Sequence, residues 1–185
     1  MTIKPQHGYH LRDSRPEDAT QLSVLALQVW LHTYAWNGIS GIIADYVLAE
    51  LTPAKFATML EDPRQHVFVA QRDENLLGFA VINSAAPCPC GDTKAIELAT
   101  LYVQEHFIGT GLGTALIQAA QHWAYDQHQC PLWLKVNAQN HRAIGFYESH
   151  NYSKTGSIDF VLGGQRHENY VMLGSPVFVD DTQRK

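Results

Sequence analysis

The chain has 185 residues, 45% hydrophobic and 17% charged, the balance of one ordinary globular domain with a full core. A net charge of −5 excludes a nucleic-acid binder that works by neutralising phosphates, and no apolar run approaches the ~20 residues that span a bilayer. Residues 1–10 carry no apolar signal segment, and Cys88, Cys90 and Cys130 have no framework spacing, so reduced thiols and a cytoplasmic location are expected.

In chain order, Tyr9 to Asp13 reads as a first strand. Ser14-Arg-Pro-Glu17 has the S-x-x-E form of a capping box, with proline in the first turn. The helix behind it lines up Ala19, Leu22, Leu25, Ala26, Val29 and Trp30 on one face. From Leu31 to Gly41 the pattern turns aromatic and irregular, with Tyr34 and Trp36 beside Asn37-Gly38. Two shorter helices follow, Ile42 to Leu51 and Pro53 to Leu60, the second begun by Thr52. Val67 to Gln71 and Leu76 to Asn83 form a hairpin across a polar turn. A loop from Ser84 to Thr93 leads into the strand Lys94 to Val103.

Three glycines then stand at alternate positions, Gly109, Gly111 and Gly113, ahead of a helix that runs to about His128 with Leu112, Leu116, Ala119, Ala120 and Trp123 at helical spacing. A strand feeding such a turn suits a phosphate: glycines admit close backbone approach, and the first helical N–H groups lack internal partners. A plain β–α turn without ligand is the other reading. The spacing is not the dinucleotide G-x-G-x-x-G, because Thr114 and Leu116 fall where its third glycine would stand, and no lysine makes it a P-loop.

Beyond it, Pro131 to Val136 is a buried-type strand. Asn140 can N-cap a helix reaching His150, and Asn151 is a left-handed terminator. Tyr152 to Leu162 and His167 to Leu173 close the fold across Gly163-Gly164, and the residues after Gly174 read as a tail. There is no repeat or linker, so residues 1–185 are expected to form one domain. The 10 histidines include no H-x-x-x-H or H-E-x-x-H helix spacing, and no metal is expected. Cys88-Pro-Cys90 could offer a soft metal two ligands, but a loop between strands explains it without one.

Two segments carry a family resemblance. Ile108-Gly-Thr-Gly111-Leu-Gly113 resembles the Q/R-x-x-G-x-G/A pyrophosphate loop of the GNAT acetyltransferases, with Ile108 where that family has Gln or Arg. WLKVNAQNHRAIGFYESHNY, from Trp133 to Tyr152, is similar to the family's second motif, with Asn140, Ala143, Phe146, Tyr147 and Glu148 at matching positions. Both occur in the family's order, and the resemblance covers about Tyr9 to Leu173. It implies an α/β (α+β mixed-sheet) fold, mostly antiparallel, splayed between its fourth and fifth strands and flanked by helices.

The resemblance further implies acetyl-CoA as cosubstrate. Leu101, Tyr102 and Val103 would offer backbone groups to the pantetheine arm and thioester carbonyl, with the Val103 N–H meeting the developing oxyanion. Ile108, Gly109, Thr110, Gly111, Leu112, Gly113 and Thr114 would form the pyrophosphate loop, with the threonine hydroxyls as added donors. Asn140, Ala143 and Phe146 would line the CoA side, and Tyr147 would reprotonate the departing thiolate. An attacking amine must be neutral, although a free one has a pKa near ~10, so a carboxylate base is needed. Glu97 is the first candidate and Asp159 the second; Tyr34 and Trp36 complete the expected acceptor site. The reading is transfer of acetyl to a small primary amine by direct attack. A polyamine is favoured because Thr155 to Met172 is similar to polyamine-type members. A protein N-terminal or lysine acetyltransferase and a non-catalytic CoA-binding regulator are the alternatives. Expected partners are the amine and acetyl-CoA, with no nucleic acid or membrane; family members often form homodimers through their last strands.

Overall fold

The computed structural model describes residues 8–89, 91 and 93–175. In chain order these form β1 (His10–Asp13), α1 (Ala19–Tyr34), α2 (Gly41–Glu50), α3 (Pro53–Glu61), β2 (Gln65–Arg72), β3 (Asn75–Asn83) and β4 (Ile96–Val103). Then come α4 (Leu112–His128), β5 (Leu132–Asn137), α5 (His141–Ser149), β6 (Tyr152–Leu162) and β7 (Gln165–Gly174). Cys90 and the expected tail from Pro176 onward lie outside the described residues. Among the described residues, no helix is long and apolar enough to cross a membrane.

Alternation along the strands sends side chains to two cores. In β2, Val67 and Val69 face α1 and α3, meeting Leu22, Leu25, Phe56 and Phe79. Ala70 turns to the opposite side, with Ala80, Ile82 and Leu98, under Leu112, Leu116, Ile117 and Ala120 of α4. Leu22, Ile82, Leu116 and Ile117 are fully buried, each contributing roughly 1.5–3 kcal/mol of transfer free energy. A Cβ at Gly78 would stand 2.7 Å from the Tyr102 carbonyl oxygen and 2.9 Å from Leu112 Cδ2. Glycine there is what seats α4 on β3.

The sheet runs β1-β2-β3-β4-β5-β7-β6. Its neighbours pair antiparallel except β4 and β5, which run parallel and meet only at Ile96↔Leu132 and Glu97↔Trp133. Beyond those pairs β4 stays with β3, while β5 stays with β7 through Asn137↔Asn169. The β3–β4 register shifts where they separate: Leu98 faces Ile82 and Thr100 faces Val81, leaving Ala99 as a bulge. A bulge bends and twists its strand, so β4 turns away from β5 and the sheet opens into a V.

Caps fall where the sequence predicts at Thr52, which accepts from the Lys55 N–H at 3.2 Å, and Asn140, which accepts from the Ala143 N–H at 3.0 Å. Asn151 is left-handed, with φ 64°. The start of α1 differs. Ser14 gives its N–H to the Val67 carbonyl at 2.8 Å, remaining with the sheet. The cap belongs one residue later: Asp18 accepts from the Arg15 N–H at 2.7 Å and is gripped by Arg12 at 2.7 and 2.9 Å. Arg12 sits on β1 and fixes which carboxylate is buried, so Asp18 replaces Glu17 in that role.

Burial by itself would raise the Asp18 pKa, but the bonds and charge of Arg12 and the Arg15 N–H outweigh it and hold it below the usual carboxylate range. A depressed folded pKa stabilises above the unfolded value, near ~3.9, and that stability is lost as pH falls through the folded one. Asp18→Asn should cost about 3 kcal/mol in urea unfolding at neutral pH. The gap from the parent protein should narrow below pH ~4. A pH-independent gap would show that packing, not charge, holds the corner.

Candidate functional site

The V between β4 and β5 opens a cavity of about 1050 Å³. Leu101 and Val103 of β4 form one wall. Asn137, at the end of β5, and Asn140, Ala143, Phe146 and Tyr147, on the following turn and α5, form the other. The glycine turn adds Gly109, Gly111 and Gly113; Trp30 and Tyr34 of α1, Trp36, and Phe160 and His167 of the last hairpin add a ring-lined part. Just past the end of β4, the Gln104 N–H donates to the Leu77 carbonyl at 3.0 Å. Backbone N–H groups alternate in direction along a strand, so the Val103 N–H points to the opposite edge, where β5 has diverged.

At the glycine turn, Gly109 and Gly111 have φ of 79° and 83°, the left-handed region in which other residues are strained. Gly111 is the N-cap of α4 and supplies no side-chain cap. The first helical bond runs from the Ala115 N–H to the Gly111 carbonyl at 3.0 Å. The N–H groups of Leu112, Gly113 and Thr114 precede it and have no acceptor inside the helix. They and the helix dipole suit a phosphate. This first turn lies against α5: a Cβ at Gly113 would stand 3.4 Å from the Phe146 ring, ordinary contact distance.

The two threonine hydroxyls do not add to these donors. Thr110 donates to the Phe107 carbonyl at 2.7 Å. The His150 Nδ1–H donates to the Phe146 carbonyl at 2.8 Å, leaving Nε2 to accept the Thr114 hydroxyl at 3.1 Å. Ile108 lines the cavity without a polar group. Among the described lining residues the one Lys or Arg is Arg142, at the start of α5. It lies 3.4 Å from Glu105, which His32 meets on its other oxygen at 3.2 Å.

Tyr147 is buried, its ring 5.5 Å from Phe146 and 5.8 Å from Tyr152 between centroids. Burial, and then neighbouring Tyr34, push its pKa well above that of a free phenol. It is therefore a neutral O–H donor throughout the ordinary pH range. Burial likewise raises Tyr34, with a smaller push from Tyr46.

Of the residues picked out in the sequence, Leu101, Val103, Ile108, Gly109, Gly111, Gly113, Thr114, Asn140, Ala143, Phe146, Tyr147, Tyr34 and Trp36 line the cavity. Tyr102, Thr110, Leu112, Glu97 and Asp159 do not. Tyr102 turns to the other core, edge-on to Phe79 at 5.6 Å, because its neighbours Leu101 and Val103 take the cavity side. Leu112, the first residue of α4, is buried against Gly78 of β3. Glu97 lies before the strands part, on the opposite face of β4 from Leu101 and Val103, and is held by Lys135 at 2.7 Å. Asp159 pairs with Arg166 at 3.0 Å across the last hairpin. Neither expected base is therefore in the lining. The sequence reading missed Trp30, Glu105, Arg142, Phe160 and His167. Four different elements and one turn bring them together, and no local pattern announces that.

This geometry has relatives. A family model described as the acetyltransferase (GNAT) family matches residues 30–152. An uncharacterised N-acetyltransferase of Mycobacterium tuberculosis is 34% identical over 131 residues, which cover 71% of this chain and 80% of that protein. Among solved structures, the PaiA N-acetyltransferase of Thermoplasma acidophilum in complex with coenzyme A aligns with a TM-score of 0.73 at 19% identity, covering 90% of this chain and 98% of that one. An acetyltransferase of the GNAT family from Streptococcus pneumoniae aligns at 0.67 with 21% identity, over 89% and 98% of the two chains. At such identities the structures speak for the fold.

Because Glu97 is tied to Lys135 outside the cavity, Glu97→Gln should lower the melting temperature yet leave thiol release from acetyl-CoA within about twofold. A loss of ~100-fold, the scale of a missing general base, would return it to the mechanism.

Proposed function

The chain belongs to the GNAT family of acetyltransferases, and we propose that it moves acetyl from acetyl-CoA directly to the primary amine of a small molecule within a ternary complex. The observation that carries this is Tyr147, a buried and protonated phenol in the lining of a cavity that joins a phosphate-type glycine turn to a ring-lined part. A protein that only binds CoA has no use for a proton donor there.

In this reading the N–H groups of Leu112, Gly113 and Thr114 hold the pyrophosphate, and Arg142 adds the cation that Ile108 lacks. Leu101 and Val103 flank the pantetheine arm, and the Val103 N–H meets the charge that develops on the carbonyl oxygen. The amine nitrogen forms its bond to the acetyl carbon as the carbon–sulfur bond breaks. Tyr147 gives its proton to the departing thiolate. The proton shed before attack leaves through water toward Glu105, the one carboxylate among the described lining residues, with His32 beside it; the proton shed after attack returns through water to Tyr147. Glu97 and Asp159, the bases expected from the sequence, are engaged elsewhere, and the polyamine-like acceptor rests on the likeness of Thr155 to Met172 alone.

Tyr147→Phe should lower kcat by ~100-fold or more while the CoA dissociation constant stays within about twofold, read by thiol release and by CoA titration. Because its pKa is raised, the acid remains protonated, and kcat should show no alkaline fall from Tyr147 below pH ~10. An unchanged kcat in the Phe variant removes Tyr147 from the mechanism. Failure of CoA to bind the parent protein removes the whole reading.

A further inference from the structure

Part of the cavity wall is a corner of aromatic rings. Trp30 packs on Tyr34 at 4.8 Å and on Tyr46 at 5.0 Å between centroids, and Tyr46 meets Phe160 edge-on at 5.9 Å. Trp30, Tyr34 and Phe160 face the cavity. Trp36 and Ile42 continue the wall with 77% and 50% of their surfaces accessible. Apolar surface left open to water on a cavity wall favours an apolar occupant. Tyr34 lines the same cavity as Tyr147 and adds to the rise in its pKa, so the corner and the phenol share one space.

Charge in the lining is sparse by comparison. Among the described lining residues Glu105 is the one carboxylate, and it already meets His32 at 3.2 Å and Arg142 at 3.4 Å. A second or third ammonium brought in by a polyamine would give up water and find no free anion in exchange. A single amine that arrives as an ammonium and leaves as a neutral amide has no such cost.

We propose that the acceptor is a monoamine with an apolar tail, an arylalkylamine or alkylamine, its nitrogen toward Tyr147 and its tail in the corner formed by Trp30, Tyr34 and Phe160. This rests on the acetyl-transfer reading above and narrows it. The ammonium loses one proton through water toward Glu105, and the neutral nitrogen forms the bond to the acetyl carbon. The carbon–sulfur bond breaks, and the thiolate takes the Tyr147 proton. The second proton lost by the nitrogen returns through water to Tyr147, leaving amide and free thiol with no other reactant.

The test is thiol release by the full chain with phenethylamine, tryptamine, hexylamine, putrescine, spermidine and short peptides with a free amino end. The monoamines should show kcat/KM at least about tenfold above the polyamines and peptides, the scale on which apolar pocket contacts discriminate. Phe160→Ala should raise KM for phenethylamine by about tenfold with kcat and CoA affinity little changed. Trp36→Ala, at an exposed position, gives the same readout if the first variant does not fold. Faster turnover of a polyamine or a peptide overturns the monoamine assignment and leaves acetyl transfer standing. CoA binding without thiol release for every amine overturns both.

Discussion

Everything functional in this chain depends on two strands that begin as neighbours and then part. β4 and β5 share only the pairs Ile96↔Leu132 and Glu97↔Trp133. Each is then claimed by a different partner, β3 or β7, through full antiparallel ladders. The bulge at Ala99 supplies the local twist. Backbone groups inside a protein need partners, so an unpaired strand edge in the middle of a sheet is costly unless something occupies it. The V is that edge, and a ligand with amide groups of its own is the natural occupant.

The charges follow the same division. The carboxylates expected in the cavity are engaged outside it: Glu97 with Lys135 where the sheet is closed, Asp159 with Arg166 on the last hairpin. Among the described lining residues the cavity keeps backbone N–H groups and the Tyr34 and Tyr147 phenols as neutral donors, with one carboxylate shared between a histidine and an arginine. Neutral donors of this kind are already oriented before the reaction begins, and they stabilise charge that appears only as it proceeds. The net charge of −5 therefore belongs to the solvated surface and tells little about the acceptor.

Much of the fold was legible in the chain because the signals are local. Helical spacing from Ala19 to Trp30, the Thr52 and Asn140 caps, the left-handed Asn151 and the period-two hairpin strands each act within a few residues. The two motifs likewise put the glycine turn and Tyr147 on view. Where the local reading went astray, a distant group intervened. Arg12 chose Asp18 over Glu17 as the buried cap, and His150 took the Thr114 hydroxyl from across the α4–α5 contact.

The sequence by itself determined the elements, their order and the family, and put Tyr147 forward as the proposed acid, since each is written in short-range spacing. Only the tertiary structure decided which side chains share the cavity. The bulge at Ala99 sets the phase of β4, so that Leu101 and Val103 enter while Tyr102 and Glu97 turn to the other face. The sheet order brings α1 and the last hairpin to one cavity, so that Trp30, Tyr34 and Phe160 meet there although they are far apart in the chain. Those are relations across the sheet, and no stretch of neighbouring residues carries them.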